Sequence, residues 1–341
     1  MRTVLVGATG AVGSEMLRIL EQRGFPGEVV AVASPRSAGR KLDYKGNELE
    51  VVALAPDVFG GADIALFDVP DEVSSEWAPV AVERGAVVVD NSAAFRMDPD
   101  VPLVVPEVNG GRVADRPKGI VASPNCTTLA MVVPLAVLHD RFELQRLIVA
   151  SYQAASGTGR PGVDELWDQV QRAAKEPDDV VAGLARNVLL GGDTFGHPLA
   201  LNVIPQCGSV TEDGYTSEEL KLCNETRKIM GLPDLRVTAT CVRVPVVVGH
   251  GVSVHAEFAR PVTPDQARAV LEDAPGVEVV DDLAAGIYPT PLEAAGRDAC
   301  YVGRIRQDRF DERALELFCV ADNLRKGAAL NTVQVAELLV H

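Results

Sequence analysis

The segment Gly7-Ala8-Thr9-Gly10-Ala11-Val12-Gly13 constrains this chain more than any other. It follows the strand-like run Thr3–Val6 directly and opens an amphipathic stretch, Val12–Arg23. Val12, Met16, Leu17 and Leu20 fall on one face of that stretch, with Glu15, Arg18 and Glu21 on the other. Glycines so spaced between strand and helix allow a tight turn, close approach of backbone to a pyrophosphate, and close helix–strand packing. The helix N-terminus adds N–H groups and positive potential for the phosphates. The turn therefore predicts a dinucleotide-binding βαβ unit. Further apolar runs at Val29–Ala33, Ile64–Phe67, Val87–Asp90, Leu103–Val105 and Ile120–Ala122 alternate with helix-length segments. Runs apolar throughout read as parallel strands covered on both faces, so the fold class is α/β with an N-terminal doubly wound, Rossmann-like domain.

The second strand selects the nucleotide. Enzymes specific for NAD usually end it with an acid that accepts the ribose hydroxyls. Here Val29–Ala33 ends in Ser34-Pro35-Arg36-Ser37. Arg36 can pair with a 2′-phosphate and Ser37 can donate to it, which favours NADP.

Beyond Thr127 the texture changes. Arg236–Val248 and Gly251–Phe258 are longer, alternating strands that suit a mainly antiparallel sheet. Thr216-x-x-Glu219 forms a capping box ahead of the helix Glu218–Met230, which Gly231 and Pro233 close. The end of the chain returns to the first style, with a strand Leu315–Val320 and a helix Gly327–Leu339. At roughly 150 residues per domain, 341 residues make about two. The expected division is a dinucleotide domain of 1–126 and 320–341 around a central α+β catalytic and dimerisation domain of 127–319.

Charge narrows the partners. Lys plus Arg number 32 against 48 Asp plus Glu, a net −16 that disfavours nucleic acid and anionic membranes. No apolar run approaches the ~20 residues of a membrane span, and the first strand begins without a signal peptide, so the chain reads as soluble and cytoplasmic. Six cysteines include no Cys-x-x-Cys, and the five histidines show no metal-ligand spacing. No metal is expected. One cysteine stands apart. Ser123-Pro124-Asn125-Cys126-Thr127-Thr128 lies between an apolar strand and the helix-length run Leu129–Leu138. Cys126 would stand at a helix N-terminus, where a thiolate is favoured and can act as nucleophile.

These segments, taken together, resemble the aspartate-β-semialdehyde dehydrogenase family along the whole chain. The resemblance rests on Gly7–Gly13, Arg36-Ser37-Ala38-Gly39, Asp90–Arg96, Pro102–Asn109, Ser123–Thr128 and Ser151–Gly157. It continues through Glu218-Glu219-Leu220-Lys221, Arg243–Val246, Gly249-His250 and Asp322–Gly327. It implies that Cys126 attacks the acyl carbon of aspartyl-4-phosphate, that Gln153 orients the substrate, and that His250 is the acid/base. It further implies that Arg243 holds the α-carboxylate, Arg96 and Lys221 the phosphate, and Glu218 the amino group, with Asn125, beside the nucleophile, also binding substrate. Gly7, Thr9, Gly10, Ala11, Val12, Arg36, Ser37, Ser156, Gly157 and Asn323 match NADP contacts. The product would be aspartate semialdehyde, for lysine, methionine and threonine synthesis, and the assembly a homodimer. Runner-up readings are a related acyl phosphate such as N-acetylglutamyl phosphate, and a non-catalytic NADP-binding paralogue.

On spacing alone, Lys221 also suits ion pairs with Glu218 at i−3 and Glu225 at i+4. Arg243 and His250 are seven apart, which on one continuous strand would aim them at opposite faces. For both to line one pocket the strand must bend or end, at Pro245 or Gly249. Three departures mark this chain: Phe67-Asp68-Val69-Pro70-Asp71 for the family's small Ser-Ala-Gly-Gly, Ala93 for a serine, and Gly251-Val252 for Ser-Glu.

Overall fold

The computed structural model describes residues 1–211 and 213–340. It divides into unit 1, Met1–Val133, Asn224–Pro233 and Leu324–His341, and unit 2, Pro134–Cys223 and Asp234–Asn323. Unit 1 is built on β1 (Arg2–Val6), β2 (Glu28–Ala33), β3 (Lys41–Tyr44), β4 (Asn47–Glu50), β5 (Val52–Ala53), β6 (Ile64–Phe67), β7 (Val87–Asp90) and β8 (Ile120–Ala122). Six of them form a sheet in the order β5-β2-β1-β6-β7-β8, parallel throughout. β6 and β8 are buried along their whole length, as strands covered on both faces must be. β3 and β4 make a separate hairpin that periodicity did not reveal.

The helix Ala11–Gln22 packs Met16, Ile19 and Leu20 with Val333 and Ala336 of the helix Asn331–Val340 into the core of this unit. Ahead of Asn331 the expected helix is a wider turn, Arg325–Leu330. There Lys326, fully buried, donates to Glu107 at 2.7 Å and Gln334 at 3.0 Å. The expected strand at Leu103–Val105 is reduced to a single bridge, Leu103 to Ala122. Its backbone finds another partner: Asn109 accepts from Val105 N–H at 2.8 Å and donates to Leu103 O at 2.9 Å.

Unit 2 holds β9 (Leu144–Gln153), β10 (Arg236–Arg243), β11 (His250–Phe258), β12 (Val277–Val279), β13 (Cys300–Gln307) and β14 (Ala314–Ala321). They form one mixed sheet, β10-β9-β11-β14-β13-β12, antiparallel at its centre and parallel at both edges. β9 and β10 alternate buried and exposed residues, the period-two signature of a sheet with one covered face. The segment between Arg160 and Gly208 closes around its own small core of Leu166, Leu189, Leu199 and Ile204. Among the described residues no helix is long and apolar enough to cross a membrane.

Candidate active site

In unit 1 the glycine turn is sterically obligatory. Gly7 has φ +96°, and a Cβ there would lie 2.0 Å from Asp68 O. At Gly13 a Cβ would lie 2.2 Å from Gly7 O. The first intrahelical bond runs from Ser14 N to Gly10 O, and Gly10 caps the helix without a side chain. Ala11 and Val12 therefore open a helix end of the kind that receives phosphate. Thr9 lies within the same turn. Arg36 sits in the short turn Pro35–Ser37 beyond β2, exposed and without an ion pair among the described residues. A glycine cradle, open helix N–H groups and an unpaired arginine at the end of β2 suit a phosphorylated dinucleotide.

Cys126 is the first residue of the helix Cys126–Phe142. Asn125 Oδ1 accepts from Thr127 N–H at 2.9 Å and Thr128 N–H at 3.3 Å, and Leu129 N donates to Asn125 O, so Asn125 is the helix cap. Cys126 is partly exposed, whereas the other five cysteines are buried. Burial pushes the Cys241 and Cys319 thiols above the ordinary range, which leaves them inert.

The backbone ahead of Cys126 is held by Glu225, which spacing alone makes an ordinary helix-surface partner of Lys221. Glu225 is 1% exposed. Its Oε2 accepts from Asn125 N–H at 2.6 Å and its Oε1 from Arg96 Nη1 at 3.1 Å. Arg96 also donates to Ser123 O at 2.9 Å and Asn91 O at 2.7 Å. An acid so deep in a helix has no signal in periodicity, because polar residues at that spacing normally face water.

In unit 2, β9 ends at Gln153, β10 at Arg243 and β11 begins at His250. Gln153 and Arg243 are register partners on neighbouring strands. The expected strand Arg236–Val248 stops at Arg243: Val244 N makes the last ladder bond, to Gln153 O, and Val246 N then folds back onto Val244 O in a tight turn. Gly249, at φ +98°, completes the reversal. The expected break between Arg243 and His250 is thus present, and the two side chains converge over Gly157. A Cβ on Gly157 would meet Arg243 Nη1 at 2.8 Å and His250 Nε2 at 3.3 Å.

Arg243 donates to Ala154 O at 2.6 Å. His250 is fully buried and its Nδ1 accepts from Ala154 N–H at 3.0 Å, so the ring proton resides on Nε2, which has no partner among the described residues. Burial first, then the Arg243 charge, pushes the His250 pKa down to about 3. The imidazole is therefore a neutral Nε2–H donor. Asn323 Oδ1 accepts from Gly249 N–H at 2.8 Å, and the Asn323 amide donates to Ser156 Oγ at 2.9 Å, which fixes the turn before His250.

Gln153 donates to Glu218 Oε1 at 3.3 Å, and Glu218 pairs with Lys221 at 3.3 Å, the i−3 partner that spacing allowed. The capping box is formed, with Glu219 Oε2 accepting from Thr216 N–H at 2.8 Å. Glu219 Oε1 also accepts from Cys241 N–H at 3.0 Å, tying the helix start to β10. One possible metal-binding group, His255, Asp308 and Glu316, also lies in this unit. His255 Nδ1 is 2.7 Å from Glu316. Burial opposes the charged ring, but Glu316 and Glu257 together outweigh it and raise the His255 pKa, so His255 ion-pairs with these two carboxylates.

His250 gives the unit a pH signature. Its native pKa lies below the ordinary 6.5, so it is neutral in both folded and unfolded chains above that value. As pH falls from 6.5 towards 3 the unfolded chain takes up a proton that the native chain refuses, and stability is lost. In His250→Asn the loss on acidification should be shallower by up to about 1.4 kcal/mol per pH unit. Urea midpoints measured between pH 6.5 and 4 check it, and parallel curves for the two proteins would exclude a buried neutral imidazole.

Comparison with known proteins agrees with this fold. The family described as "Semialdehyde dehydrogenase, NAD binding domain" matches residues 2–116, and "Semialdehyde dehydrogenase, dimerisation domain" matches 135–326. The chain is 47% identical over 342 residues to the aspartate-semialdehyde dehydrogenase of Aquifex aeolicus, covering 99% of this chain and 98% of that enzyme. It is 44% identical to the one from Bacillus subtilis, covering 99% and 97%. Among solved structures, aspartate semialdehyde dehydrogenase II from Vibrio cholerae, complexed with ASA, superposes with a TM-score of 0.93 at 40% identity, covering 99% and 98%.

Proposed function

The chain belongs to the semialdehyde dehydrogenase family, and on that premise we propose that it reduces L-aspartyl-4-phosphate to L-aspartate-4-semialdehyde with NADPH, releasing phosphate. The observation that carries this reading is Cys126, a partly exposed thiol at the start of a helix capped by Asn125. A thiolate there attacks the acyl carbon, the bond from that carbon to the phosphate oxygen breaks, and a thioester forms on Cys126. NADPH, when bound, supplies the hydride that reduces this thioester. Collapse of the resulting thiohemiacetal returns the Cys126 thiolate and frees the aldehyde. His250, with its proton on Nε2, donates to the oxyanion that develops at the acyl carbon.

The remaining groups bind and orient. Gln153 positions the acyl group, and Arg243 takes the α-carboxylate through its planar fork. Arg96 and Lys221 take the phosphate. Glu218 takes the free α-amino group, a role that favours aspartyl over N-acylated substrates. The turn Gly7–Val12 holds the pyrophosphate, Arg36 and Ser37 the 2′-phosphate, and Ser156, Gly157 and Asn323 make further cofactor contacts. The functional form is a cytoplasmic homodimer, built through the central domain's sheet and the segment between Arg160 and Gly208. The uncovered face of that sheet carries Ile148 and Tyr152 exposed, which supports such burial.

The test is NADP⁺ reduction by L-aspartate-4-semialdehyde in the presence and absence of phosphate. Phosphate-dependent turnover is expected, and its absence with NADPH still bound would move the protein to another acyl phosphate or to a non-catalytic role. Within the same assay, Arg243→Lys should raise the KM for semialdehyde by about 10–100-fold, because a bidentate charged contact becomes a point charge. An unchanged KM would remove Arg243 from the carboxylate site.

A further inference from the structure

Asp68 lies in one of the three segments where the sequence departs from the family's pattern, and it lies against the glycine turn. β6 runs parallel to β1, pairing Phe67 with Val6, so the next residue arrives beside Gly7, and Asp68 N donates to Val6 O at 2.9 Å. Its carboxylate points into the turn. Oδ2 lies 3.6 Å from the position a Cβ would take on Gly10, and the carboxylate accepts the backbone N–H of Gly13. Oδ1 accepts from Asn91 Nδ2 at 3.0 Å. Gly13 N–H precedes the first intrahelical bond, so it is one of the helix's orphan donors. A carboxylate has therefore been built into the helix N-terminus that would receive a pyrophosphate.

The groups around Asp68 do not neutralise it. From β7 and the residue after it come Asp90, a second acid, and Asn91. Asp90 is engaged by Ser74 and Ser92, and Arg96 acts on Asp90. On the helix Ala11–Gln22, Glu15 is taken by Arg18 and Arg325. Asp71, three residues on, accepts from Ala93 N–H. Burial is the leading cause that raises the Asp68 pKa, with Asp90 adding to it.

Resting on the reading that this turn binds NADP(H), we propose that Asp68 is a counter-anion built into the dinucleotide site, so that cofactor binding is weakened and is accompanied by uptake of a proton from solvent onto the Asp68 carboxylate. Anion at anion across a short gap of intermediate dielectric amounts to roughly a tenfold change in affinity. Protonation turns the side chain into a neutral hydroxyl donor plus carbonyl acceptor, which still satisfies Gly13 N–H and removes the repulsion.

The experiment is NADPH titration by nicotinamide fluorescence at pH 6.5, 7.5 and 8.5, wild type beside Asp68→Asn. The cofactor's own 2′-phosphate titrates equally against both proteins, so the difference isolates Asp68. Asp68→Asn should bind about tenfold tighter at pH 8.5, the advantage shrinking towards pH 6.5. Equal dissociation constants with parallel pH dependence would overturn the proposal, whereas no NADPH binding to either protein would overturn the assignment of the turn. A second measurement covers a poorly folding variant. Wild-type binding is followed by calorimetry at pH 8 in two buffers of different ionisation enthalpy. Net proton uptake is expected, and none would again overturn it.

Discussion

Cys126→Ala is expected to lower phosphate-dependent NADP⁺ reduction at least about 10⁴-fold while leaving NADPH affinity as in wild type. The size follows from the chemistry. Hydride reduction of an acyl group needs a carbonyl that is not a carboxylate, and only the thioester on Cys126 provides one after phosphate has left. Alanine at the first position of the helix keeps the Asn125 cap and its bonds to Thr127 and Thr128, so the fold should be undisturbed. The glycine turn lies on a different helix, Ala11–Gln22, which is why cofactor affinity should not move. Cys126→Ser is a stricter version. Its hydroxyl is a much weaker nucleophile near neutral pH, so it should be almost as inactive despite matching the thiol in shape. Turnover above background in either variant would remove Cys126 as nucleophile, and loss of NADPH binding in both would point to a folding defect.

The parts of the molecule that sequence makes legible are those where a residue type is forced by geometry. Gly7 and Gly13 tolerate no Cβ because backbone oxygens occupy its place, so their spacing identified the turn. The Arg243–His250 spacing likewise demanded a reversal, and Gly249 at φ +98° supplies one. Legibility fails where a long-range side chain decides a local outcome. The bonds of Asn109 to Leu103 and Val105 cancel a strand that apolar periodicity predicted. The carboxylate of Asp68 at Gly13 N–H was visible only as an unexpected acid after β6. Nor does spacing distinguish Lys221 pairing with Glu218 from pairing with Glu225, since both are one turn away. The structure gives Lys221 to Glu218 and buries Glu225 against Arg96.

That buried pair is a fragile point in unit 1, and Glu225→Gln is expected to cost about 3–5 kcal/mol of stability. Arg96 and Glu225 are 8% and 1% exposed, so neither charge can be handed to water when its partner is lost. A glutamine matches the carboxylate in shape but cannot accept at both ends. One end accepts, but the other is an NH₂ that must face either Arg96 Nη1 or Asn125 N–H, donor against donor. The apolar double variant Arg96→Met/Glu225→Leu should recover part of the loss, because the unpaired charge is the larger penalty and the orphaned Asn125 N–H the smaller, about 1–3 kcal/mol. Urea unfolding of the three proteins orders them as wild type, double variant, then Glu225→Gln. Equal stability of the single and double variants would mean that no uncompensated charge is left behind. The same loss should reach the nucleophile, since Arg96 Nε holds Ser123 O and Glu225 holds the N–H of the capping Asn125. Iodoacetamide should therefore alkylate Cys126 more slowly in the double variant than in wild type, although neither substituted side chain belongs to its helix.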